Sequence, residues 1–223
     1  MKRRFIILSI LLFSSFSIAL GEMPEPKWAT FENNKVRYFE GGNLKSNSAL
    51  VFVHGWTCSA EYWKDSLNAF PGYRVIALDL PGHGGSDKPK VSYSMDYFAR
   101  SIDAVMQAAK VKRAVLAGHS MGTPVIRQYY RLYPKKTLGL VVVDGALFPF
   151  GNSEEFEKFF APIRADYRKN VHIFLDGMLQ PVKDSGLRNW IRESMLSTPD
   201  YVALSAFDRM ADMSIWKEDK IDV

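Results

Sequence analysis

Gly118-His119-Ser120-Met121-Gly122 is the stretch that decides how this 223-residue chain is read. The pattern G-x-S-x-G is weak evidence alone, since chance supplies it in about one chain of this length in fifteen. Its flanks add the weight. Ala114–Ala117 in front is a short apolar run of strand character, and Thr123-Pro124 behind opens a helix with proline in its first turn. Two glycines permit a strand-to-helix turn so tight that the side chain at 120 projects into a cleft on strained backbone. A serine hydroxyl held there is placed to attack a carbonyl carbon. The amide N–H of Met121, at the helix start, points to where an oxyanion would form.

Outward from this turn, strands and helices alternate. Ala49–Val53 and Arg74–Leu78 are compact, β-branched runs of the kind buried on both faces of a sheet, and Leu140–Val143 is another. Tyr62, Trp63, Leu67 and Phe70 recur at helical spacing. Ser94 is placed to cap a helix running to about Ala109, and Thr123–Leu132 is a further helix. Ahead of these, Trp28–Phe31 and Lys35–Phe39 flank Asn33-Asn34 and read as an antiparallel hairpin. The alternation predicts an α/β fold with a mostly parallel sheet. After Leu147 the texture becomes helical, with Phe156, Phe159, Phe160 and Ile163 on one face. Phe174, Leu175, Met178 and Leu179 follow as a second group, and Trp190, Ile191, Met195 and Leu196 as a third. Residues 22–146 are therefore read as the core and 147–219 as a helical cap whose aromatic and Met residues mostly pack. Residues 220–223 are read as the approach to a further core strand.

A second oxyanion donor is needed from a loop after an earlier strand. His54-Gly55-Trp56 follows Ala49–Val53 at that place, so the N–H of Trp56 is assigned to it, with the indole as a wall of the pocket. Taken with Asp79-Leu80-Pro81-Gly82-His83-Gly84-Gly85-Ser86 and Val143-Asp144-Gly145-Ala146, these motifs resemble the α/β-hydrolase superfamily in its small lidded esterase and lipase-like branch. The likeness runs over roughly residues 28–222. It implies a mostly parallel sheet with flanking helices and a cap between strands six and seven. Ser at 120, where the dehalogenase and epoxide-hydrolase branches carry Asp, points away from those branches.

The family's order is serine, acid, histidine. Of the four histidines, His119 adjoins Ser120 in a turn that sends the two side chains apart. His54 and His83 lie in loops that are structural in relatives or line the oxyanion region. Only His172 follows the serine, inside Val171–Leu175, where it reads as a residue packed or hydrogen-bonded within the cap. Asp144, at a strand end, is a candidate acid, and Asp79 reads as structural. Relatives continue past Lys220-Ile221-Asp222-Val223 with two more strands, the usual acid and the histidine. The chain therefore reads as a hydrolase lacking its C-terminal strands, with Leu140–Val143 as an exposed, aggregation-prone edge. Candidate substrate-lining residues are Trp56, Phe148 and Phe159, together with Phe156, Phe160 and Trp190.

The remaining sequence narrows the partners. The chain is 47% hydrophobic and 24% charged, an ordinary globular balance, with a formal charge of +5. Lys2, Arg3 and Arg4 supply three of those charges. No basic stripe is visible, so nucleic acid is not an expected partner. Met1–Arg4, the apolar run Phe5–Leu20 and the small residues Ala19 and Gly21 form a leader with cleavage after Gly21. About 16 apolar residues fall short of a membrane span, so no stable span is expected once the leader is gone, and export to a bacterial periplasm or beyond follows. A single cysteine, Cys58, allows no internal disulfide. His and Cys are unclustered and no phosphate loop is present, so no metal or other cofactor is expected. The sequence leaves three functions in play: a hydrolase of small-molecule carboxylic esters through an acyl-enzyme at Ser120, impaired if no histidine serves it; a hydrolase-fold protein that holds an apolar ligand; or a product with no function of its own.

Overall fold

The computed structural model describes residues 22–146, 153–216 and 221–223. Met1–Gly21, where the leader is read, and Phe148 lie outside the described residues, as do Lys220 and the side chains of Phe156 and Phe159. The chain opens with a hairpin, β1 (Lys27–Phe31) and β2 (Asn34–Gly42), and continues into β3 (Ser48–Val53). A 3-10 turn (Ala60–Trp63) leads to the short α1 (Lys64–Ala69) and β4 (Arg74–Leu78). Then come α2 (Met95–Ala108), β5 (Arg113–His119), α3 (Gly122–Leu132) and β6 (Thr137–Val143). The hairpin turn differs from the sequence reading. Glu32 and Asn33, not Asn33 and Asn34, hold the positive φ values of 47° and 63°, and Asn34 pairs with Phe31. That register puts Phe31 and Val36 on the buried face, and the burial outweighs the poor fit of Glu to positive φ.

Strand order is β1-β2-β4-β3-β5-β6, with β3 to β6 parallel and the hairpin antiparallel. The period-2 alternation of the central strands explains why both faces are covered. Val51, Val53, Ile76, Leu78, Ala114 and Leu116 belong to the core that includes Phe98, Ile102, Val125 and Ile126 of α2 and α3. Their neighbours Phe52, Val75, Ala77 and Ala117 join Leu67 of α1 on the other face. Helix α2 starts where the sequence placed it, with the Ser94 hydroxyl accepting the N–H of Tyr97. Among the described residues β6 is a sheet edge, with Leu138 and Val141 exposed.

The chain order reverses at β3, which has β4 on one side and β5 on the other. Such a switch point opens a crevice beyond the carboxyl ends of the strands, the favoured ligand site of open parallel sheets. Val53 pairs with Gly118, so the segment after β3 and the turn after β5 leave the sheet side by side. After β6 come α4 (Ser153–Ala165), α5 (Tyr167–Leu179), α6 (Ser185–Leu196) and α7 (Asp200–Met210), followed by a 3-10 turn (Met213–Trp216), and α5 and α6 face the serine turn across this crevice.

Candidate active site

Ser120 has φ of 50° and is exposed, held between a strand and a helix whose closeness leaves no room for side chains at either flanking glycine. A Cβ on Gly118 would sit 2.4 Å from the carbonyl oxygen of Gly122, and one on Gly122 would sit 2.5 Å from that of Val53. Positive φ on a non-glycine residue costs on the order of 1–3 kcal/mol and persists only where surrounding structure enforces it. Here the N–H of Ser120 donates to Val143 of β6 at 3.2 Å. The N–H of Thr123 donates back to the Ser120 carbonyl at 2.9 Å, closing the turn.

The loop after β3 passes directly in front of the serine. A Cβ on Gly55 would lie 3.2 Å from Cβ of Ser120 and 2.9 Å from Nδ1 of His119, so only glycine lets the loop this close. The carbonyl of Gly55 accepts the N–H of Cys58 at 3.2 Å. Among the described residues, no acceptor takes the backbone N–H of Trp56 or of Met121. The Trp56 indole lines the cleft and does more than form a wall, because its Nε1–H donates to the Ala203 carbonyl of α7 at 2.9 Å. It also packs against Phe174 and Phe207 of the cap.

A cleft of about 270 Å³ opens at Ser120. Gly55, Trp56, Cys58, Tyr62, His119 and Ser120 line it from the core. From the cap come Phe174, Met178, Leu179, Val182, Ile191 and Met195. Among the described residues, no Asp, Glu, Lys or Arg lines it. Burial raises the Cys58 thiol to about 12, which keeps it protonated and unreactive at neutral pH. The cap residues were missed as a lining because their i, i+4 pairs, Phe174/Met178 and Ile191/Met195, carry the same signal as a core-facing helix. Two named candidates belong elsewhere. Phe160 is buried against Phe207, their ring centroids 3.8 Å apart, and Trp190 packs at a tilt on Tyr62 outside the lining.

The histidines are accounted for in turn. His54 donates from Nδ1 to the Gly55 carbonyl at 2.8 Å and accepts the Leu80 N–H on Nε2 at 3.0 Å, which ties the loop to the end of β4. Complete burial lowers it to about 4. His83, also fully buried and 5.0 Å from His54 between centroids, is lowered to about 3, chiefly by burial. Both are neutral structural groups. His119 lines the cleft beside Ser120, and its ring meets Trp63 edge-on. Burial lowers its pKa, and the nearby Asp144 charge opposes that shift. His172 corrects the sequence reading: it is exposed on α5 instead of packed within the cap, because Val171 and Leu175 take the inward positions. Among the described residues, none of the four is hydrogen-bonded to Ser120. Asp144 is exposed at the end of β6 with φ of 44°. Asp79 is structural as read: its buried carboxylate accepts from the Ala60 N–H, the Gly85 N–H and Nε of Arg37.

A family model described as the alpha/beta hydrolase fold matches residues 48–180, which contain the loop at Gly55, the serine turn and the first cap helices. The chain belongs to the α/β-hydrolase family. It is 29% identical to a non-heme chloroperoxidase of Burkholderia pyrrocinia over 189 residues, 75% of this chain and 68% of that protein. A bifunctional esterase/perhydrolase of Acinetobacter calcoaceticus is 33% identical over 114 residues, 50% of this chain and 41% of that relative's length. Among solved structures, an esterase from Rhodococcus sp. ECU1013 superposes with a TM-score of 0.68 at 26% identity, covering 82% of this chain and 72% of that one. This α/β hydrolase thus spans only part of the relatives it matches.

Proposed function

We propose that this α/β hydrolase acts on uncharged carboxylic esters, with Ser120 as nucleophile. The observation that carries the reading is the exposed serine at φ 50° facing a cleft to which the described residues bring no charged side chain. In this reading Ser120 Oγ attacks the ester carbonyl carbon, and the oxyanion takes hydrogen bonds from the N–H groups of Trp56 and Met121, each typically worth about 3–4 kcal/mol. The C–O bond then breaks, the alcohol leaves with the serine proton, and the acyl group remains on Ser120. Water later returns the serine. No described histidine holds the Ser120 hydroxyl, so the described residues support acylation by activated esters more than turnover, and Asp144 keeps its place as candidate acid beside His119. A second reading, a protein that holds an apolar ligand without reaction, is favoured by the apolar cap lining and by the absence, among the described residues, of a histidine bonded to Ser120.

Mixing the protein with para-nitrophenyl butyrate and measuring intact mass separates the two. One butyryl group per chain, mapped to Ser120 and absent from Ser120→Ala, is the expected result. Saturable binding with no adduct would sink the ester reading and leave the ligand-holding one. We further propose export, on the leader pattern of Met1–Gly21. N-terminal sequencing of the protein from its source should begin at Glu22, and a start at Met1 would overturn it.

A further inference from the structure

Thr57 follows the oxyanion donor Trp56 and holds φ of 57°, the third such residue near the cleft after Ser120 and Asp144. For a β-branched side chain this is a true backbone outlier. Thr57 occupies the third position of a turn closed by the Cys58 N–H donating to the Gly55 carbonyl, a position that glycine normally fills when φ is positive. The turn sets a peptide plane. The Gly55 carbonyl is held by the Cys58 N–H and by Nδ1 of His54, so in a trans peptide the N–H of Trp56 points the opposite way. Rotating that plane would remove the donor.

What holds the strained residue comes partly from the cap. Thr57 Oγ1 donates to the Trp56 carbonyl at 2.7 Å, a bond within the loop. The Thr57 carbonyl in turn accepts the hydroxyl of Thr198 at 3.2 Å, and both threonines are buried. Thr198 stands at the corner between α6 and α7, and its N–H donates to the carbonyl of Met195, a cleft-lining residue. The corner that faces the cleft therefore also touches the loop carrying the donor.

We infer that Thr198 is a positioning residue that clamps Thr57 in its strained conformation and so aims the Trp56 N–H at the oxyanion, making the seating of the cap a condition of reaction. This rests on the serine reading given above. A glycine at 57 would adopt the turn unaided, so the clamp should be dispensable once the strain is removed.

The test is the saturation kinetics of Ser120 labelling by a para-nitrophenyl alkylphosphonate, which yields a maximal rate kinact and a half-saturation constant KI, read alongside Tm. Thr198→Val should lower kinact about tenfold or more, against the roughly 100–1000-fold that loss of a whole donor brings, with KI unchanged. Thr198→Ser, which keeps the hydroxyl, should label at the parent rate. Thr57→Gly added to Thr198→Val should restore kinact. A rise in KI or a fall in Tm with kinact unchanged would reduce Thr198 to a packing residue and overturn the inference, as would failure of both the Ser variant and the glycine rescue. No labelling of the unaltered protein overturns the serine reading itself, a result distinct from equal rates in parent and Thr198→Val.

Discussion

Gly118 in the core and Gly177 in the cap show how differently the two regions hold their side chains. A Cβ at Gly118 would meet the Gly122 carbonyl oxygen at 2.4 Å, whereas one at Gly177, inside α5, meets nothing within 4 Å. In the core, backbone presses on backbone, and the serine turn is as fixed as the strands that carry it. In the cap, helices present apolar faces to a cleft and ion pairs to solvent, such as Lys158 with Glu154 and Arg168 with Asp200. Exposed pairs of this kind contribute little to stability, because water screens them. Described hydrogen bonds between the core and α6, α7 and the corner between them include Tyr62 to Ile191, Trp56 to Ala203 and, donated from the cap, Thr198 to Thr57. Under the proposed function, chemistry falls to the tightly packed part and fit to the cap.

The sharpest way to break this contrast is to add one methyl group to each region. Gly118→Ala forces apart a strand and a helix that are both buried. Its expected cost is about 3 kcal/mol or more in urea denaturation, at the upper end for point substitutions. If Gly118→Ala unfolds at the parent midpoint, the account of the turn is wrong.

Another effect separates the regions by pH. His54 and His83 are neutral in the fold, lowered to about 4 and about 3 from 6.5 by burial. As pH falls below 6.5 the unfolded chain takes up protons that the folded core refuses. Stability is therefore fully present above 6.5 and drops by up to about 1.4 kcal/mol per pH unit for each histidine, until the folded values are reached. Urea midpoints measured at pH 7.5 and pH 5 should differ, and His54→Asn should flatten the difference. An equal slope in that variant would remove His54 from the explanation.

The parts legible in sequence were those whose demands are local. G-x-S-x-G between a strand and a helix carries its own steric logic, and the apolar runs at Ala49, Arg74 and Ala114 announce a sheet covered on both faces. The hairpin was misplaced by one residue because Asn is a better guide to positive φ than Glu, yet the burial of Phe31 set the register. The cleft wall was illegible for a different reason. Phe160 and Phe174 sit on apolar faces of the same periodicity, and only the tertiary fold sends one against Phe207 and the other into the cleft. The strain at Thr57 leaves no trace in composition, since threonine is the last residue that a positive-φ position suggests.

The smallest expected effect belongs to the cap. Gly177→Ala replaces an unencumbered helical glycine and should raise stability by about 0.5–1 kcal/mol, the ordinary glycine penalty in a helix. A loss there instead would mean that α5 is packed as tightly as the serine turn, and the contrast between the regions would fail.

The central claim, that the strained serine in the apolar cleft is the reactive group, is tested most directly by peptide mapping after exposure to a fluorophosphonate. The account predicts one adduct, on the peptide bearing Ser120, and none in Ser120→Ala. An adduct on another residue, or equal labelling of that variant, would contradict it.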